Sequence, residues 1–431
     1  MTTTAAWRNW AGNQRCQPAR VAVPRSVDEV AAEVTAAAAG GLTVKPVGSG
    51  HSFTAVAVTE GVQLRLDHLS RVRATDGHLV TVEAGMTLAA LNGVLADRGL
   101  AMPNLGDIDA QTVAGALATG THGTGAGYGC LSTFVESMEL VTGTGEVITC
   151  SADEAPDVFA AARVGLGALG VVTAVTLRCA DAFVLRADER PMPLASTLAE
   201  FDELVAANEH VEFYWMPYTG RVLVKRNNRV PADDAPMSRL RRWWETDFLQ
   251  NTAFGAVCRT GRAWPKLAPG LLRTTTKVFS PLVYTGRSDH VFVTPRRFRF
   301  VEMEYGLPRG ALPEVFAALK SIVDGLPFPV LVPVEVRVTA ADDIWLSHGY
   351  GRDSVYVAIH QYPGVPYEPY FRAFERVCST VDGRPHWGKL HWRDTGSLRP
   401  AYPRFDDFLA VRERLDPARV LANAYTRKVL G

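Results

Sequence analysis

The chain has 431 residues, 47% hydrophobic and 21% charged. That is enough apolar material for more than one core, and it excludes a disordered chain. Lys plus Arg and Asp plus Glu are 45 each, so the basic excess of a duplex-DNA binder is absent. The six cysteines form no C-x-x-C pair. This argues against a zinc ribbon or a thioredoxin-like site and for a reducing compartment. No basic region followed by a long apolar run opens the chain, so no secretory signal is visible. The best membrane candidate, residues 164–177, contains three glycines and is too short to span. A cytoplasmic protein is expected, with peripheral membrane association left open.

The first 180 or so residues alternate helix and strand signals. Ser26-Val-Asp-Glu29 is a capping box for an Ala-rich helix that ends near Gly40-Gly41. Residues 42–47, 62–66 and 79–83 read as strands. Thr87 caps a helix through Arg98, stopped by Gly99. Residues 138–141 and 146–149 flank a Thr-Gly-Thr-Gly turn and predict a hairpin. Residues 170–177 close this region as a strand. Longer strand signals follow at 212–217, 221–225, 298–305, 330–338 and 354–362, which predicts a large antiparallel sheet. Residues 226–285 carry little pattern beyond a helix expected around 239–250. Residues 407–415 form a short helix stopped by Asp416-Pro417.

Four segments carry candidate chemistry. In Pro46-Val-Gly-Ser-Gly-His-Ser-Phe53 a strand runs into glycines that let successive amides converge on an anion such as a pyrophosphate. An ordinary tight turn explains the spacing equally well. Thr119-Gly-Thr-His-Gly-Thr-Gly-Ala-Gly127 is too small and polar to build a core; a cofactor or another loop must hold it. Period-two alternation puts Glu335 and Arg337 on one strand face, and Tyr356, His360 and Tyr362 on one face of another. Neighbouring strands would gather these groups over a polyhydroxylated substrate and its proton; a solvated face with a cross-strand ion pair is the alternative. Arg384-Pro-His-Trp-Gly-Lys-Leu-His391 sets Lys389 in an aromatic turn, with His386 and His391 at a spacing unsuited to a helical zinc pair. Gly165-Leu-Gly-Ala-Leu-Gly170 matches G-x-G-x-x-G but lies between helix and strand in the wrong order for a nicotinamide site.

Together these segments resemble the aldonolactone oxidase branch of the vanillyl-alcohol-oxidase-type flavoproteins, which includes the related alditol oxidases. The resemblance spans nearly the whole chain and rests on residues 47–53, 120–123, 335–337 and 386–389. It implies an α+β, two-domain, PCMH-type FAD-binding fold with a large antiparallel-sheet substrate domain. Residues 1–182 would bind FAD, residues 183–380 would form the cap, and residues 381–431 would return to the FAD domain. His51 would be bonded to the flavin. Val47, Gly48, Ser49, Gly50, Ser52, Thr112, Gly115, Thr119, Gly120, Thr121, His122 and Val171 would line the cofactor, with Asp107 along it and Lys389 at its N1–C2=O edge. Glu335, Arg337, Asp107 and Tyr362 would hold substrate, and His360 would take its proton. No metal is implied. Asp107 and Tyr362 depart from the alditol oxidases, so an aldono-1,4-lactone is expected before an open-chain polyol. Gly106 suggests room for oxygen as the acceptor. A non-catalytic flavin protein and a nicotinamide dehydrogenase are the competing readings.

Overall fold

The computed structural model describes residues 6–231, 238, 241, 243–278, 280–294 and 296–431. The N-terminal part holds two sheets. Arg20–Ala22, Val62–Leu64 and Val44–Pro46 are parallel, with Val62–Leu64 in the middle. Helix Val27–Ala39 begins where Ser26 Oγ accepts the Glu29 amide, and its Val30, Val34 and Ala37 cover this sheet. Beside it stand five antiparallel strands in the order Val147–Ser151, Val135–Val141, Val171–Arg178, Leu79–Glu83 and Val72–Asp76. The expected hairpin is there, turning at residues 142–146.

The end of the chain returns to this part. Phe405, Phe408, Val411, Tyr425 and Val429 share one core with Val80, Leu91, Met138 and Leu177. The Val44 amide donates to the Val420 carbonyl at 2.8 Å. The Asn423 side-chain amide donates to the carbonyls of Ala55, Val56 and Val58.

The middle of the chain builds an eight-stranded antiparallel sheet. Its order is Leu282–Arg287, Val184–Pro193, Arg221–Val230, His210–Trp215, Val334–Thr339, Ser354–Gln361, Val301–Pro308 and Arg384–Pro385. Alternation sorts its two faces. Phe213, Met303, Val334, Val336, Val338, Val355, Val357 and Ile359 pack against helices Leu312–Gly325 and Glu368–Thr380. The opposite face carries the polar members of the same strands toward the N-terminal part.

Three expectations need correction. The strand expected over 330–338 starts only at Val334, because Pro333 has no N–H to give a ladder. Strands Val184–Pro193 and Leu282–Arg287 carry little alternation and pair with each other, so nothing local announced them. The helix expected around 239–250 lies partly outside the described residues; the described turns run over Trp243–Ala253, Phe254–Ala263 and Ala268–Val278.

Candidate active site

A cavity runs through the N-terminal part. Val47, Gly48, Ser49, Gly50, His51, Ser52, Thr112, Gly115 and Thr119 line it, as do Gly165, Leu166, Gly167, Gly170 and Val172. The loop at 47–52 leaves strand Val44–Pro46 with its amides unspent. Among the described residues, no protein acceptor meets the amides of Gly48, Ser49, Gly50, His51 or Ser52. Gly48 and Ser49 are exposed and Gly50 to Ser52 half-buried, so these amides stand free beside the cavity, and a row of them suits an anionic group. The loop also admits no side chain where it is closest. A Cβ at Gly48 would come within 2.4 Å of Thr112 Oγ1. The cavity therefore fits the diphosphate of a dinucleotide cofactor.

The second glycine cluster behaves otherwise. The amides of Gly120 and Thr121 donate to Leu117 and Ala116 and close helix Val113–Ala118. Of residues 119–122, only Thr119 reaches the cavity wall. Val171 faces the core against helix Val27–Ala39, while its neighbours Gly170 and Val172 line the cavity. The 165–170 glycines sit between a helix and a strand as expected, yet they form cavity wall. Lys45 holds that wall, donating to the carbonyls of Leu166, Gly167 and Leu421 at 3.1–3.2 Å.

The turn carrying Lys389 locks the cavity to the large sheet. The Phe53 amide donates to Gly388 O at 2.7 Å, and Thr54 Oγ1 donates to Trp387 O at 3.0 Å. His51, at the cavity end, stacks beside Trp10. Burial and the nearby Lys389 charge lower its pKa, which keeps the imidazole neutral. Lys389 Nζ lies 2.5 Å from Glu302 Oε2. His360 Nδ1 donates to Pro333 O at 2.8 Å, and its Nε2 lies 3.5 Å from Glu302 Oε1. Burial would raise the Glu302 pKa, but Lys389 and His360 bring it down to about 2. The same carboxylate raises the pKa of Lys389 against the effect of burial.

Next on this face, Arg337 gathers three carboxylates. It contacts Asp107 Oδ1 at 2.5 Å, Glu212 Oε2 at 2.9 Å, and Glu335. Arg296 supports Asp107 at 2.9 Å, and Lys225 lies 3.5 Å from Glu212. Tyr214 donates to Glu335 Oε1 at 2.9 Å. Burial weighs on both Asp107 and Glu335, with opposite outcomes. Arg337 and Arg296 hold Asp107 well below the usual carboxylate range. Burial, helped by the Asp107 and Glu212 charges, pushes Glu335 up to about 8 despite Arg337. Of these carboxyls, Glu335 is the one pushed toward its protonated form.

Glu335, Arg337, His360, Asp107 and Lys389 thus meet on one face, because Val334–Thr339 and Ser354–Gln361 are neighbours. His122 stands there too, 3.3 Å from Glu304 and over the Tyr356 ring at 3.7 Å. Tyr362 does not stay with His360. It lies past the strand end, packed near Leu331 and Val365 beneath Arg262. Gly106 opens no space: a Cβ there would lie 3.0 Å from His122 O, so packing explains its size. Glu302, Glu304, Glu212, Tyr214, Lys225 and Arg296 were not singled out from sequence. The alternation in Val301-Glu-Met-Glu-Tyr305 and Glu212-Phe-Tyr214 was the available signal.

A cavity suited to a dinucleotide, tied through Phe53 and Gly388 to a charged sheet face, is the plan of a flavin enzyme, and residues 18–151 match the FAD-binding-domain family. The chain is an FAD-dependent oxidoreductase. Residues 175–429 match the D-arabinono-1,4-lactone oxidase family, and the chain belongs to it. It is 43% identical over 427 residues to an L-gulono-1,4-lactone dehydrogenase of Mycobacterium tuberculosis, covering 99% of each chain. It is 34% identical to the L-gulonolactone oxidase of Bos taurus, covering 98% of each. Cholesterol oxidase from B. sterolicum shares the fold at 20% identity, with a TM-score of 0.83 over 99% of this chain and 96% of that one.

Proposed function

We propose that the protein oxidises an aldono-1,4-lactone at a hydroxyl-bearing carbon. The observation that carries this reading is the turn Gly388-Lys389, which the Phe53 amide ties to the glycine loop of the cavity and which places Lys389 beside Glu302 on the charged sheet face. The two similar relatives named for gulonolactone chemistry support the substrate class. Residues 1–182 and 381–431 would form the cofactor domain and residues 183–380 the cap, with Arg384–Pro385 lending an edge strand to the cap sheet. The 47–52 loop would hold FAD, with His51 as the residue bonded to it, and the bound flavin would supply the hydride acceptor.

This chain's own groups handle the rest. Glu335 and the Arg337 guanidinium bind lactone oxygens. His360 has its Nδ1 proton committed to Pro333, so Nε2 is the ring atom left to exchange the hydroxyl proton. Glu302, 3.5 Å away, then stabilises the imidazolium. Lys389 and Arg337 supply fixed positive charge against the negative charge that develops.

An anaerobic titration of the purified protein tests the reading. L-gulono-, L-galactono- or D-arabinono-1,4-lactone should bleach the flavin band. Bleaching by xylitol or sorbitol alone would replace the lactone with an open-chain polyol. No bleaching by either class would overturn the reading.

A further inference from the structure

Strands Trp7–Arg8 and Arg15–Cys16 form a small hairpin that lies against the glycine loop of the cavity. Its turn is organised around Asn9, which is 3% exposed. The Asn9 carboxamide is fully committed. Its oxygen accepts the Gln14 amide at 3.0 Å, and its two N–H groups donate to Asn13 Oδ1 at 2.7 Å and Ser52 O at 3.0 Å. The Trp10 amide donates to Gly50 O at 2.8 Å. Asn13 and Gln14 both donate to Phe53 O, at 2.9 and 3.0 Å. Three carbonyls of the loop are thus held from outside it, by one short turn.

These bonds decide where the loop amides point. In a trans peptide the C=O of one residue and the N–H of the next face opposite ways. Trp10 draws Gly50 O toward the hairpin, which turns the His51 N–H away from it. Asn9 draws Ser52 O in the same manner, and the N–H across that peptide, belonging to Phe53, meets Gly388 O at 2.7 Å. That second bond is the tie between the loop and the turn carrying Lys389. The Trp10 ring also stacks on His51, with centroids 5.5 Å apart and planes 21° from parallel. The loop's own residues supply little restraint of this kind, since glycines at 48 and 50 leave the backbone free to turn. Asn9 itself is not among the residues that line the cavity, so whatever it does for a ligand there, it does through the loop.

We propose that Asn9 is a positioning residue for the cofactor. It fixes the 52–53 peptide, so that the amide row of residues 48–52 faces the cofactor and the Lys389 turn stays in register with that row. The proposal rests on the reading of this row as the FAD cradle. Asn13 provides the contrast. It belongs to the same turn, yet Phe53 O keeps Gln14 as a donor when Asn13 is lost. Among the described residues, Asn9 is the one donor that reaches Ser52 O.

The test measures flavin per chain in purified protein, and FAD affinity by fluorescence quenching in a His51→Ala background, where no bond to that residue can form. Asn9→Ala should lower flavin per chain and weaken FAD binding at least about tenfold, the scale of one hydrogen bond whose partner is left unpaired. Asn13→Ala should stay within about threefold of its parent in affinity. The visible circular dichroism of flavin still bound should change in Asn9→Ala and not in Asn13→Ala. Asn9→Asp keeps the size and the bond from the Gln14 amide but lacks the donors. It should match Asn9→Ala, and it decides the question if the alanine variant does not fold. Parent-like affinity in both Asn9 variants would overturn the proposal. So would equal weakening by Asn9→Ala and Asn13→Ala, the mark of a merely structural hairpin. Gly48→Ala separates the two levels. If it also leaves flavin binding intact, the cradle reading falls with the proposal; if it impairs binding while the Asn9 variants do not, the proposal alone falls.

Discussion

Lys389 and His360 share the carboxylate of Glu302, one oxygen each, at 2.5 Å and 3.5 Å. Glu302 therefore couples the cation at the cavity mouth to the base on the sheet. Glu302→Gln keeps the shape and removes the charge. It leaves the half-buried Lys389 without its counter-ion, which should cost about 2 kcal/mol of stability. It also removes the stabilisation of protonated His360, so anaerobic flavin reduction should slow by at least about tenfold. Thermal unfolding and stopped-flow absorbance check the two effects separately. An unchanged reduction rate would detach Glu302 from the proton's path.

Glu335 predicts a pH signature. Burial beside the Asp107 and Glu212 charges raises its pKa to about 8 in the folded chain from the ordinary 4.5. Between those values the folded state holds a proton that the unfolded state has lost. Its contribution to stability therefore falls as pH rises from about 4.5 to 8. Glu335→Gln fixes the neutral shape, so unfolding midpoints of the variant should fall less across this window than those of the wild type. Parallel curves would mean that Glu335 is ionised in the native site.

Gly48→Ala tests the amide cradle. The new Cβ would meet Thr112 Oγ1 at 2.4 Å. Thr112 cannot simply turn away, because the same oxygen caps helix Val113–Ala118 by accepting the Gly115 amide. The loop must shift instead, and flavin content should drop several-fold. Gly77→Ala is a poor control because Gly77 has a positive φ; Gly93→Ala, with open space around its Cβ, should retain full flavin. Full occupancy in Gly48→Ala would remove the cradle from cofactor binding.

His51 sits at the cavity end with a lowered pKa, so a neutral ring nitrogen is available for bonding. Acid-precipitated wild-type protein should stay yellow, and His51→Ala should release its flavin into the supernatant. A colourless wild-type pellet would exclude the bond.

The sequence made some of this site legible and hid the rest for identifiable reasons. Glu335 and Arg337 were readable because a strand alternates, and their neighbours Val334, Val336 and Val338 form a continuous apolar face. The 47–52 loop was readable because its glycines follow a strand directly. Tyr362 misled because alternation holds only inside a strand, and the strand stops at Gln361. Gly120 and Thr121 misled because a helix end and an anion cradle want the same residues; only the hydrogen-bond partners distinguish them. Glu212 reaches Arg337 across 125 residues of chain and Arg296 reaches Asp107 across 189, relations no local pattern carries.

Arg337 is where the site converges, so the most direct test of lactone oxidation is its anaerobic half-reaction. Arg337→Lys keeps a positive charge beside Asp107, Glu212 and Glu335 but loses the forked geometry. Mixed with the best lactone in a stopped-flow spectrometer, the variant should reduce its flavin about a hundredfold more slowly than wild type. Rapid reduction of the wild type and this slowing are the predicted pair. Equal rates in the two proteins would contradict the account by placing the chemistry away from this face.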